Sequence, residues 1–154
     1  MKLHLVAVGR LRKGPEKVLV DDYLDRFART GRALGLPPIN LVELDARGAG
    51  QGAEADLIAR ALPPGAAVAI LDERGRQLTS PELARQIETW RDQARDVAFV
   101  IGGADGLTDE LRARADLAIS FGAVVWPHML VRVMLAEQLY RAAAILAGAP
   151  YHRA

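Results

Sequence analysis

Five short apolar runs punctuate the chain at Leu3–Val8, Ile39–Leu44, Ala67–Leu71, Val97–Ile101 and Leu117–Ser120. Each has the length of a strand. Most lack polar alternation, which predicts strands buried on both faces. Helical periodicity fills the intervals. In Pro15–Leu34 the residues Leu19, Val20, Tyr23, Leu24 and Phe27 form one stripe, with Asp21, Asp22, Asp25, Arg26 and Arg29 opposite. A short helix is expected over Glu54–Leu62, ended by Pro63-Pro64-Gly65. Another is expected over Pro81–Ala94, with Ser80 as N-cap and Leu83, Ile87, Trp90 and Ala94 spaced along one side. Thr108-Asp109-Glu110 reads as a cap followed by acids suited to a helix N-terminus, opening Thr108–Ala115. A last helix spans Met129–Ala147. Strands alternating with helices predict an α/β fold: a mostly parallel sheet of five or six strands with helices on both faces.

At 154 residues the chain is the size of one domain, 1–154. Hydrophobic residues make up 51% and charged residues 25%, which excludes a disordered or collagenous chain. The lack of cysteine excludes disulfide scaffolds, cysteine-ligated zinc, iron–sulfur clusters and a cysteine nucleophile. The first apolar run is too short for a signal peptide and lacks a cleavage site, and no run reaches the ~18 residues of a membrane span. The expected location is the cytoplasm, with no membrane partner. His4, His128 and His152 have no metal-ligand spacing, so no metal is expected.

Net charge is only +1, so charge balance alone does not announce a nucleic-acid binder. The distribution says more. Lys2, Lys13 and Lys17 are the only lysines among 20 basic residues; the rest are arginine, which matches phosphate bidentately. Arg10, Arg12, Lys13 and Lys17 cluster after the first strand.

Ligands of such sheets bind beyond the carboxyl ends of strands. The first turn, Gly9-Arg10-Leu11-Arg12-Lys13-Gly14, matches neither a dinucleotide fingerprint nor a P-loop. The glycine-rich turn comes late instead, at Ile101-Gly102-Gly103-Ala104-Asp105-Gly106, after a strand and before a capped helix. It is either a ligand cradle or a connection that needs glycine for geometry. Asp72 and Glu73 read as turn formers or salt-bridge partners. Asp45–Ala53, with Gly48, Gly50 and Gly52, reads as a mobile loop.

The connection Ser120-Phe121-Gly122-Ala123-Val124-Val125-Trp126-Pro127-His128 is apolar, and loops are normally polar. Something must cover it. The helix that follows is apolar almost all round, which predicts burial on more than one side and a homodimer seam. Glu137 and Arg141 sit four residues apart and pair simply; alternatively, buried Arg132 and Arg141 face an anion.

Together these segments closely resemble the RlmH family of ribosomal RNA methyltransferases, of the SPOUT class. The resemblance is carried by Leu3-His4-Leu5-Val6-Ala7-Val8-Gly9, Ile101-Gly102-Gly103 with Gly106-Leu107, Pro127-His128-Met129-Leu130-Val131-Arg132-Val133, Glu137-Gln138-Leu139-Tyr140-Arg141-Ala142 and Pro150-Tyr151-His152-Arg153. It spans the whole chain. It implies a C-terminal trefoil knot, S-adenosylmethionine as methyl donor, and N3 of a pseudouridine in 23S rRNA as acceptor, on the assembled ribosome. It also implies that three loops hold the donor: Leu71; Gly102 and Gly103; and Phe121, Gly122, Ala123, Val124, Val125 and Trp126.

An imide N3 carries a proton near neutral pH, so methylation there needs a base or a stabilising field. His152 or His128 is the expected proton acceptor. Arg132, Arg141 and Arg153 are the expected positioning or anion-stabilising groups, and Tyr151 the ring that stacks on the base. RNA docking is expected at Arg10, Arg12, Lys13 and Lys17, with Arg74 and Arg76 second. Competing readings are a flavodoxin-like nucleotide-binding domain and a non-catalytic dimeric factor that binds ribosomes.

Overall fold

The computed structural model describes residues 1–48 and 50–151. Five strands, β1 (Leu3–Val8), β2 (Ile39–Leu44), β3 (Ala67–Arg76), β4 (Val97–Ile101) and β5 (Leu117–Ile119), form one sheet in the order β2-β1-β4-β3-β5. Every pairing is parallel. Helices α1 (Pro15–Gly31), α2 (Gln51–Ala61), α3 (Ser80–Asp92), α4 (Asp109–Arg114) and α5 (His128–Ala147) alternate with the strands. The α/β architecture expected from the alternating runs is what forms, with five strands. Its strand order differs from the flavodoxin-like 2-1-3-4-5, because β3 and β4 exchange places.

The unalternating strands have the predicted cause. Side chains alternate across a strand, and each face meets its own layer. Leu3, Leu5, Ala7, Val97 and Phe99 join Phe27 of α1, Leu83 and Ile87 of α3, and Leu135 and Leu139 of α5. Val6, Val8, Ala98 and Val100 join Ile58 of α2, Leu111 of α4 and Leu107 just ahead of it. The sheet is thus covered on both sides, as a parallel sheet requires.

Local signals set most boundaries. Pro15 opens α1, and Lys17–Asp21, Asp22–Arg26 and Asp25–Arg29 bridge its outer face at 2.6, 3.1 and 3.1 Å. These pairs are exposed and screened by solvent, so they stabilise little; burial of Val20 and Phe27 does more. A 3-10 turn over Arg32–Leu34 replaces the helix's expected last residues.

Three expectations need correction. The cap of α3 is Thr79, not Ser80: Thr79 accepts from Glu82 N–H at 3.2 Å while Glu82 accepts from Thr79 N–H at 2.7 Å. Ser80 is the first helical residue and donates to Gln138 at 2.7 Å. Helix α2 starts at Gln51, inside the segment expected to be a mobile loop, with Gly50 as its N-cap at φ 95°. Finally, β3 runs on to Arg76 instead of stopping at Leu71. The cause is Gly75, where a β-carbon would lie 2.6 Å from the backbone of Ala118. Only glycine lets β3 approach β5 that closely, so Arg76 pairs with Ile119 after an irregular stretch.

Candidate active site

Two turns leave the carboxyl edge from adjacent strands. At the first, after β1, Gly9 N–H donates to Leu44 O at 2.7 Å, with Gly9 at φ 93°. Arg132, 1% exposed, fills the space behind it. Its guanidinium donates to Val8 O at 3.2 Å, to Gly9 O at 3.0 Å and to Glu43 at 2.8 Å. Glu43 also accepts from Leu11 N–H at 2.6 Å. Burial lowers the Arg132 pKa and Glu43 opposes that shift. The alternative of Arg132 facing an external anion is not what its contacts show: the guanidinium faces Glu43 and two carbonyls.

The second turn, after β4, opens on a cavity of about 460 Å³. Gly103 O accepts from Gly106 N–H at 3.0 Å, closing the turn. Gln51 braces it from α2, donating to Asp105 O at 3.0 Å and to Leu107 O at 3.2 Å. A β-carbon on Gly102 would lie 2.9 Å from Leu107 Cδ2 and 3.3 Å from the Gly106 carbonyl, so a side chain there would make its neighbours shift. Across the cavity stands the apolar connection before α5. Trp126 donates its indole N–H to Phe121 O at 3.2 Å, and Ser120 Oγ accepts from Gly122 N–H at 3.1 Å. Leu71, Gly102, Gly103, Phe121, Gly122, Val124, Val125 and Trp126 all border this one cavity. Ala123 is exposed on the same connection.

The cavity's third side is charged. Arg112 ion-pairs with Asp72 and reaches Asp109 at 3.0 Å. Burial works against ionisation of Asp72, but the Arg74 N–H, the Arg112 hydrogen bond and the Arg112 charge outweigh it and hold the carboxyl below its ordinary value. Asp72 therefore serves as a turn and salt-bridge residue, as expected.

The expected catalytic residues are dispersed within one chain. His128 borders the cavity at the start of α5. Arg141 pairs with Glu137 at 3.1 Å, the simple pair expected from their spacing. Tyr151 donates to Glu137 at 2.8 Å, and its ring lies 5.0 Å from the Arg141 guanidinium and 4.6 Å from the Tyr140 ring. Burial first, and the Glu137 hydrogen bond second, push the Tyr151 phenol far up, so it stays protonated. Glu137 borders a different cavity, of about 540 Å³, separated from the first by Phe121 and Gly122, which line both. His152 and Arg153 lie outside the described residues.

Of the basic residues, Arg10, Arg12 and Lys13 are exposed on the first turn. Lys17 is exposed on α1 and tied to Asp21. Arg74 borders the first cavity, and Arg76 is exposed at the end of β3. Glu43, Gln51, Glu54 and Arg112 were not anticipated. Glu54 and Ile58 stand four apart on the same buried side of α2, a spacing that marks an acid turned inward. Among the described residues no group of three or more metal-ligating side chains occurs, and no helix is long and apolar enough to cross a membrane.

An all-parallel α/β sheet with a glycine turn facing an apolar connection matches a known class. A family model described as "Predicted SPOUT methyltransferase" matches residues 1–152. The chain belongs to this SPOUT methyltransferase family, in its RlmH group. A protein named "Ribosomal RNA large subunit methyltransferase H" from Cereibacter sphaeroides is 71% identical over 154 residues, covering 99% of each chain. One of the same name from Paracoccus denitrificans is 68% identical, again over 99% of each. Among solved structures, a probable methylase family protein from Haemophilus influenzae shares the fold with a TM-score of 0.53 at 15% identity, over 99% of this chain and 70% of that one.

Proposed function

We propose that this chain is an S-adenosylmethionine-dependent methyltransferase that modifies N3 of a pseudouridine in 23S ribosomal RNA. It acts on the assembled ribosome in the cytoplasm, as a homodimer and without a metal. Residues 1–154 form its single domain, with the C-terminal part threaded as a trefoil knot. Family membership and the names of its full-length relatives support the reaction class. The observation that carries the reading is the cavity itself, which Gly102 and Gly103 line together with the apolar residues Phe121, Val124, Val125 and Trp126.

The residues present fit the donor. A cavity of about 460 Å³ lies within the ~300–1,000 Å³ typical of small-molecule sites. Its bare glycine backbone accepts close approach, and Phe121, Val124 and Trp126 suit an adenine and a thioether arm. Leu71, Gly102, Gly103 and the Phe121–Trp126 connection would hold it. When bound, the donor supplies a methyl group already activated by a sulfonium charge.

The chain's own task is to align the acceptor and remove its proton. His128, beside the cavity, or His152 takes the N3 proton. Arg141 and Arg153 stabilise the resulting imide anion, and Tyr151 stacks on the base. Arg132 contributes by holding the sheet edge beneath them. Arg10, Arg12, Lys13 and Lys17 hold RNA phosphate, with Arg74 and Arg76 as a second set.

Two features support the homodimer. Val125 is 85% exposed, and Trp126, Met129, Leu130, Val18 and Leu19 add further uncovered apolar surface. The Arg141–Tyr151 group also stands apart from the cavity that His128 borders, so a second copy would bring one chain's tail to the other's donor.

Mass spectrometry of rRNA nucleosides, after ribosomes are incubated with the protein and labelled donor, tests the reading. Label in N3-methylpseudouridine of 23S rRNA is the expected result. Label elsewhere overturns the target. Tight ribosome binding without any labelled nucleoside makes the protein a non-catalytic factor.

A further inference from the structure

The first cavity is bordered by more acid than base. Asp72 is matched by Arg112, while Glu73, Arg74 and Asp105 are exposed, where water and salt screen them. Glu54 differs from all of these. It sits in the first turn of α2 and is 8% exposed. Its Oε1 is buried with no hydrogen-bond partner among the described residues. The carboxylate lies against Gly103, where a β-carbon would be 2.7 Å from Oε2 and 2.9 Å from Oε1. The backbone of Gly103, in turn, lines the cavity. A carboxylate oxygen held out of water without a partner is unfavourable unless positive charge stands nearby.

We infer that Glu54 selects for charge in the donor cavity: across the bare backbone of Gly103, its carboxylate favours the sulfonium form of the adenosyl ligand over the neutral thioether left after transfer. The inference rests on reading this cavity as the methyl-donor site. Glu54 is a specificity-determining residue and touches no reacting atom. Its effect is through space, across Gly103. In the transfer, the sulfur–methyl bond breaks with its electron pair staying on sulfur. The N3 lone pair forms the new bond, and the N3 proton goes to the base. The cavity's ligand therefore loses one positive charge on turnover, and Glu54 holds the spent form less well than the incoming one. The amino-acid ammonium is common to both forms and cancels in their comparison.

Calorimetry of the full-length protein with S-adenosylmethionine and, separately, S-adenosylhomocysteine reads this directly. The ratio of the two affinities is expected to fall about tenfold in Glu54→Gln, the scale of one charge acting through a partly screened medium. Glu54→Asp, which keeps the charge, is expected to retain the ratio. A ratio unchanged in Glu54→Gln, or equal weakening of both ligands, overturns the inference, because a purely structural role moves both alike. Should Glu54→Gln not fold, the wild-type protein still decides. An amine analogue with an ammonium in place of the sulfonium must bind more tightly than the thioether, and the reverse order overturns the proposal. If neither adenosyl ligand binds the wild-type protein, the donor-site reading itself falls and this inference with it.

Discussion

The turn after β1 and the turn after β4 leave the same sheet edge from paired strands, yet protein fills the first and the second opens on a cavity. Both begin at glycine, at Gly9 and Gly102. The difference lies in what neighbouring helices insert. Helix α5 sends Arg132 behind the first turn, where its donors meet Val8 O, Gly9 O and Glu43. Helix α2 sets Gln51 at the cavity's border, where it braces the second turn, and Glu54 against Gly103, leaving the cavity open. A strand's carboxyl end is thus a place where a ligand can sit; whether one does depends on side chains far away in sequence. Arg132 is 124 residues from Val8.

The contrast can be broken most severely at the filled turn. Arg132→Ala leaves Glu43 without its cation and two carbonyls without donors, and is expected to cost about 3–5 kcal/mol. A urea midpoint lowered at constant slope checks this; a midpoint near wild type would mean that the first turn does not depend on its plug. Next comes Gly102→Ala at the open turn. Its β-carbon meets Leu107 Cδ2 at 2.9 Å and the Gly106 carbonyl carbon at 3.3 Å. A stability loss of about 1–3 kcal/mol is expected, and titration should show donor affinity falling with it. Retained affinity would separate the turn's geometry from binding.

Smaller effects sharpen the comparison. Gln51→Ala removes two hydrogen bonds to the turn and should cost about 0.5–1.5 kcal/mol. Donor binding weakens by a few-fold while the β1 turn is untouched, which hydrogen exchange at Gly9 and Leu11 can follow. The smallest is acid sensitivity. The folded state holds Asp72 below its ordinary 3.8. Its stabilising contribution is therefore complete above that value and is lost as pH falls through the lower folded one. Asp72→Asn should lack this part of the acid dependence. Superimposable acid profiles for the two proteins would show that the Arg112 pair adds nothing.

Local periodicity made the sheet legible. Strands β1 and β4 end where their apolar runs end, because a strand covered on both faces is largely apolar, and the edge strand β2 keeps its expected bounds with Asn40 exposed. The length of β3 was hidden, since it depends on Gly75 meeting Ala118 across the sheet and not on hydrophobicity. The start of α2 was hidden for a similar reason. Gly48, Gly50 and Gly52 read as flexible, while the structure uses Gly50 as a cap and Gln51 as a brace. At the site, apolar character exposed the Phe121–Trp126 connection, and glycine spacing exposed the turn opposite. Arg132 was read as facing an anion or positioning the acceptor, because its partner Glu43 lies 89 residues earlier. Glu54 escaped notice because one acid in an alanine-rich helix looks solvated until its neighbour Gly103 is known.

The sheet order also bears on how the chain emerges from the ribosome. Strand β1 is made first but lies between β2 and β4, and its second partner begins only at Val97. Until then the nascent chain carries an apolar strand with one unpaired edge, the kind of edge that invites misassembly. Closure waits longer still, since Arg132 must be synthesised before Val8, Gly9 and Glu43 are tied together. Such late, distant contacts predict slow folding for a protein this small. The first strand of this methyltransferase is thus secured only after synthesis has run as far as Arg132.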